Sequence, residues 1–121
     1  MPNQIGRVLY IVRTWVPEDQ LKEWNEWHTT DHVPGVVEQP QVKRAHKYQV
    51  VEDNTSASWR PQYVTVYEFD SLDDWNSYNK GPEADRLRRE YSERYGESGR
   101  ISRQVLVEVV EVSPVDEVGG V

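Results

Sequence analysis

The chain contains three histidines, His28, His32 and His46, and two of them lie four residues apart in the segment Trp27-His28-Thr29-Thr30-Asp31-His32-Val33-Pro34. Histidine titrates near neutral pH and can move a proton in either direction, so this segment suits general acid–base chemistry. His32 is the main candidate, with Asp31 beside it and His28 one helical turn away. Tyr48 and Tyr67 offer phenolic donors for a developing oxyanion. Arg44 offers a guanidinium for a carboxylate or enolate. The substrate side of such a site would draw on Trp24, Trp27, Arg44, His46, Tyr63, Trp75 and Tyr78. The plainer alternative for each histidine is a packed, hydrogen-bonded core residue. The string His28-Thr29-Thr30-Asp31-His32 also imitates the metal motif H-x-x-E-H. Asp replaces Glu, however, and Pro34 is expected to cut the helix short. No metal and no cofactor are expected.

These residues need elements to hold them. Arg7 to Val12 reads as a strand with apolar residues on both sides, Val8, Tyr10 and Val12 against Leu9 and Ile11, so both faces need cover. Pro17-Glu18-Asp19 opens a helix, proline in the first turn and acids at the positive end. Leu21, Trp24, His28 and His32 form its stripe. Pro34 biases Val33 away from helical angles and Gly35 adds a break, so this helix is predicted to end there. That end would place His32 at a helix C-terminus, where the dipole favours imidazolium.

Val42 to Val51 reads as the second strand, with Val42, Arg44, His46, Tyr48 and Val50 on one face. A polar loop, Glu52 to Pro61, leads to the third strand, Gln62 to Phe69, with Tyr63, Thr65, Tyr67 and Phe69 sharing a face. Ser71, followed by Asp74 three residues on, caps a short helix carrying Leu72, Trp75 and Tyr78. Pro82 starts another, with Ala84, Leu87, Tyr91 and Tyr95 inward and Gly96 and Gly99 beyond its end. Ile101 to Val112 reads as a long last strand. Residues 1–112 then form a single domain and residues 113–121 a tail. The order β-α-β-β-α-β is the split βαβ, ferredoxin-like arrangement of an α+β domain. Its uncovered apolar sheet face predicts a homodimer, sheet against sheet.

Composition narrows the function classes. The 121 residues suit one domain with a real core. A net charge of −7 argues against a polyanion partner, so no nucleic acid is expected. Arg86, Arg88 and Arg89 alternate with Asp85 and Glu90, which reads as a solvated helix face. Absence of cysteine rules out thiol chemistry and disulfides and fits a reducing compartment. No apolar run approaches the roughly 20 residues of a membrane span. Met1-Pro2-Asn3-Gln4 shows no signal-peptide pattern. The expected location is therefore the cytoplasm, without membrane attachment. Neither a phosphate-binding glycine loop nor a Gly-x-Ser-x-Gly elbow is present. Five Trp and seven Tyr against one Phe suit a core and interface, or a pocket for an aromatic, phenolic or polyketide-like molecule.

The segment Trp24-Asn25-Glu26-Trp27-His28-Thr29-Thr30-Asp31-His32-Val33-Pro34, followed by Val42-Lys43-Arg44-Ala45-His46-Lys47-Tyr48, resembles the EthD-like branch of the dimeric α/β-barrel superfamily. That branch shows an aromatic pair, two spacers, an acid, then His-hydrophobic-Pro, and next a strand ending in a basic residue and Tyr. The likeness spans roughly residues 6 to 112. It departs at His28, where Tyr is common, and at Asp31, where Glu is common. The resemblance implies a homodimer with a pocket between each sheet and its own helices, and it makes His32 the leading site residue. Relatives include cofactor-free monooxygenases, polyketide cyclases, muconolactone isomerase-like proteins and haem binders. A cofactor-independent isomerase, cyclase, lyase or oxygenase is thus the first expectation. A haem- or small-ligand-binding accessory protein of an oxidative pathway is the second.

Overall fold

A computed structural model describes residues 6–114. Four antiparallel strands, β1 (Val8–Trp15), β2 (Val42–Gln49), β3 (Tyr63–Phe69) and β4 (Arg100–Val107), form one sheet in the order β2-β3-β1-β4. The helices α1 (Glu18–Trp27), α2 (Val33–Val37), α3 (Leu72–Lys80) and α4 (Pro82–Tyr95) join them. This is the ferredoxin-like α+β arrangement that the element order predicts.

The register sets which side chains meet the helices. Tyr10 stands between Tyr67 and Val105, and Val12 between Thr65 and Arg103. Alternation then sends Val8, Tyr10, Val12, Tyr67 and Phe69 into a core with Trp75, Tyr78, Ala84 and Leu87. A second cluster, Val16, Trp24, Trp27, Tyr91 and Tyr95, closes the other end. The capping pair is formed: Asp74 donates its backbone N–H to Ser71 Oγ at 3.1 Å.

Four expectations need correction. The first helix does not stop at Pro34. Residues His28–His32 form a π turn, in which Val33 donates its N–H to the carbonyl of His28, five residues back, and α2 continues beyond it. Proline normally clashes with the carbonyl four residues behind it. The widened turn relieves that crowding, and Val33 keeps helical angles of φ −63° and ψ −46°. Gly35 likewise continues the helix; a Cβ there would lie 3.2 Å from Leu87 Cδ2, so its smallness serves the approach of α4.

In β2 a bulge between Val42 and Arg44 adds a residue and shifts the phase. Val42 is therefore buried on the helix side with Phe69, while Arg44, His46 and Tyr48 face the other way. The last strand ends at Val107 rather than Val112: β1, its only neighbour among the described residues, pairs with it no further than Val8. Finally, Arg88 leaves the solvated face assigned to it, being four residues from Ala84 and three from Tyr91 on the buried stripe. Of the expected tail, residues 115–121 lie outside the described residues. Among the described residues no helix is long and apolar enough to cross a membrane.

Candidate functional site

A cavity of about 30 Å³ lies between the sheet and the helices. The π turn supplies His28 and His32, α2 supplies Val36, and α4 supplies Leu87, Arg88 and Tyr91. From the sheet and α3 come Tyr10, Val12, Tyr67, Tyr78, Ile101 and Arg103. The π turn is the device that presents both histidines. Their rings are nearly parallel, with centroids 5.5 Å apart. Thr30 Oγ1 donates to the carbonyl of Glu26 at 2.7 Å, a side-chain bond within the irregular turn.

Aromatic residues hold each imidazole. His28 stacks on Trp24 at 4.4 Å, and His32 packs against Trp27 at 5.1 Å and Tyr91 at 5.4 Å. Trp24 donates its indole N–H to the Tyr91 hydroxyl at 2.9 Å, which ties α1 to α4 across the core. Lys47 reaches from β2 over the Trp24 and Tyr63 rings, 4.6 and 4.8 Å from their centroids. It donates to Asn25 Oδ1 at 2.6 Å and to Thr29 Oγ1 at 2.8 Å.

The electrostatics favour neutral imidazoles. Burial is the main cause for both. His32 falls to about 4, lowered further by Arg103 and opposed by Asp31. His28 falls to about 2, lowered further by Lys47 and His32. The expected imidazolium at a helix C-terminus is thus reversed: the helix runs on to Val37, and burial outweighs the dipole. Burial also raises Tyr67 above the ordinary phenol value and lifts Tyr78 and Tyr91 to about 12, which keeps all three phenols protonated and able to donate. The Nδ1 atoms of His28 and His32 are buried with no hydrogen-bond partner among the described residues. Leaving such an atom unpaired costs roughly 1–3 kcal/mol, and buried polar atoms are usually paired. A group accepting or donating a proton in this cavity would remove that cost.

The structure brings together only part of the residue set read from the sequence. His28, His32, Tyr67 and Tyr78 line the cavity. Trp24 and Trp27 back the histidines, Tyr63 packs on Trp24, and Trp75 packs on Tyr10 at 4.6 Å. Asp31 is exposed on the outer side, in a hollow with Pro34, Gly35, Arg86 and Glu90. Arg44, His46 and Tyr48 lie on the opposite sheet face, since the bulge sets their alternation. There Arg44 pairs with Glu68 at 3.5 Å and His46 stacks with Tyr48. His46 therefore does not join the other two histidines. Among the described residues no group of three His, Cys, Asp or Glu side chains is gathered as metal ligands would be.

Four polar residues of the cavity are not among the sequence-derived site candidates: Tyr10, Arg88, Tyr91 and Arg103. Their periodicity marks Tyr10 and Tyr91 only as core residues. Arg103 is two residues from both Ile101 and Val105 and so shares their sheet face, and that strand periodicity is the signal that points it inward. Beyond the cavity, Tyr10, Arg88 and Arg103 continue into an open cleft of about 320 Å³ with Trp75, Asn79, Gln104 and Val105. A larger hollow of about 540 Å³ under the β2–β3 loop includes Arg13, Glu52, Asp53 and Trp59, and holds neither histidine nor tyrosine.

Solved structures with the same fold cover most of the chain. An ethyl tert-butyl ether d (EthD) family protein from Bacillus halodurans C-125 aligns with a TM-score of 0.69 at 14% identity, over 85% of this chain and 99% of that one. A protein from Nitrosomonas europaea, proposed to be an antibiotic biosynthesis monooxygenase, aligns at 0.59 and 15% identity, over 93% and 100%. A dimeric protein of unknown function and ferredoxin-like fold from Bacteroides fragilis NCTC 9343 aligns at 0.56 and 16% identity, over 85% and 97%. At these identities the likeness is one of fold. No curated protein matches the chain. A protein-family model, described as Domain of unknown function (DUF4286), matches residues 7–109, nearly all of the described region, and the chain belongs to that family.

Proposed function

We propose that this protein is a small enzyme that binds an oxygenated, ring-bearing molecule between its sheet and helices and moves a proton with His32. The reaction class is isomerisation, cyclisation, lyase cleavage or oxygenation of a substrate anion, with the chain's own side chains carrying the proton. The observation that carries this reading is the pair of buried, unpartnered Nδ1 atoms on cavity-lining histidines. His32, held neutral, is a proton acceptor. Tyr67, Tyr78 and Tyr91, held protonated, are donors for negative charge developing on oxygen. The cavity of about 30 Å³ suits the reacting group alone, and the adjoining cleft of about 320 Å³ suits the rest of the molecule. Trp24 and Trp27 back the two imidazoles, and His28 is fully buried.

A homodimer formed through the open sheet face is part of this proposal, as is a cytoplasmic setting for a cysteine-free acidic chain. The dimeric Bacteroides fragilis relative supports the first.

The test is His32→Gln and His32→Ala against a panel of phenolic and polyketide-like substrates. Loss of about 100-fold or more in kcat, the usual contribution of a general acid or base, with an unchanged folded spectrum is the expected result. Full activity in both variants would overturn the assignment. Loss of fold in both would give His32 a structural role.

A further inference from the structure

Resting on that reading of the cavity, we infer that the cleft at the β4 edge is a carboxylate-binding mouth, in which Arg88 and Arg103 hold an acidic substrate with its ring on Tyr10 and Trp75. Both arginines line the inner cavity and the outer cleft, so a group bound by them lies at the junction of the two. The chain has a net charge of −7, with 21 acidic residues against 14 basic ones. Even so, the lining of the cleft contains no carboxylate; beside the arginines and the rings of Tyr10 and Trp75 it has the amides Asn79 and Gln104. Neither arginine forms a salt bridge among the described residues, whereas Arg7, Arg44 and Arg86 do. Two guanidinium groups at one opening with no carboxylate beside them leave positive charge that a bound anion would offset. Arg88 is oriented by its Nη2, which donates to Asn79 Oδ1 at 2.6 Å, and it keeps further N–H donors for a ligand. The apolar floor is already in place, with the Tyr10 and Trp75 rings 4.6 Å apart and Val105 partly exposed beside them. At about 320 Å³ the cleft is at the small end of ligand sites, which suits a single ring. A carboxylate on Arg103 would also offset the repulsion this arginine exerts on a protonated His32, so binding would strengthen the base.

The experiment titrates 4-hydroxyphenylacetate and its primary amide into the full chain, followed by the NMR signals of the Trp75 indole and the Val105 methyls. The acid should shift both signals and bind about tenfold or more tightly than the amide, as expected for the loss of one charged hydrogen bond. Arg103→Gln and Arg88→Gln should each remove that preference, and Arg44→Gln, on the opposite face, should not. Equal binding of acid and amide, or a preference that survives both cleft variants, overturns the inference. No binding of the acid at tens of millimolar overturns it as well. The cavity reading fails separately, if His32→Gln leaves turnover intact while the acid still binds.

Discussion

At the scale of the residue, the account rests on imidazoles kept neutral by their surroundings. His32 titrates at about 4 and His28 at about 2, both below the unperturbed value of 6.5. The folded state therefore binds fewer protons than the unfolded chain between pH 6.5 and these values. Stability is fully present above pH 6.5 and is lost as the pH falls through that window. The His32 shift alone corresponds to something on the order of 3 kcal/mol at its full extent. His32→Gln should therefore flatten the fall in Tm between pH 6.5 and pH 4 relative to the unsubstituted chain. Parallel curves in thermal melts across that range would show that His32 is not held neutral by the fold. Asp31, beside His32 in sequence, is exposed and outside the cavity. Sequence adjacency on a helix turns the next side chain by about 100°, so neighbours rarely share a site.

At the scale of the element, periodicity made most of the fold legible. The alternation of Val8, Tyr10 and Val12 against Leu9 and Ile11 marks β1 as a strand apolar on both faces, and the packing shows that the first set meets the helices. The spacing of Ala84, Leu87, Tyr91 and Tyr95 identified the buried side of α4, and all four are buried. The Ser71 cap was legible because its side chain acts locally. The π turn was not, because it demands no particular residue type. Pro34 and Gly35 spoke locally for a break, and packing of Val36 and Leu87 into the core carried the helix through. The β2 bulge was hidden for a related reason: one extra residue reverses every later side chain, and no glycine or proline marks it. Those two irregularities account for the main differences at the site. The π turn brings His28 and His32 to one cavity, and the bulge turns Arg44, His46 and Tyr48 away from it.

At the scale of the whole molecule, the sheet has two unlike faces. Helices cover one. The other presents Leu9, Ile11, Val64, Val66 and Leu106, framed by Glu68 with Arg7 and Arg44 at 3.9 and 3.5 Å. Leu106 keeps 39% of its surface exposed, so a charge there disturbs the open face more than the core. Light scattering should give a two-chain mass for the protein and a one-chain mass for Leu106→Glu, with unchanged secondary structure. A one-chain mass for the unsubstituted protein would contradict pairing through this face. The cavity lies on the far side of the sheet from that open face, so the proposed dimer and the site can be tested apart. The most direct test of the site is an imidazole NMR titration of His28 and His32 in the full chain. Both rings are predicted neutral across pH 6 to 8, with His32 taking up its proton near pH 4. Ordinary titration of His32 near pH 6.5 would mean that water reaches the ring freely, and would contradict a closed, neutral proton acceptor.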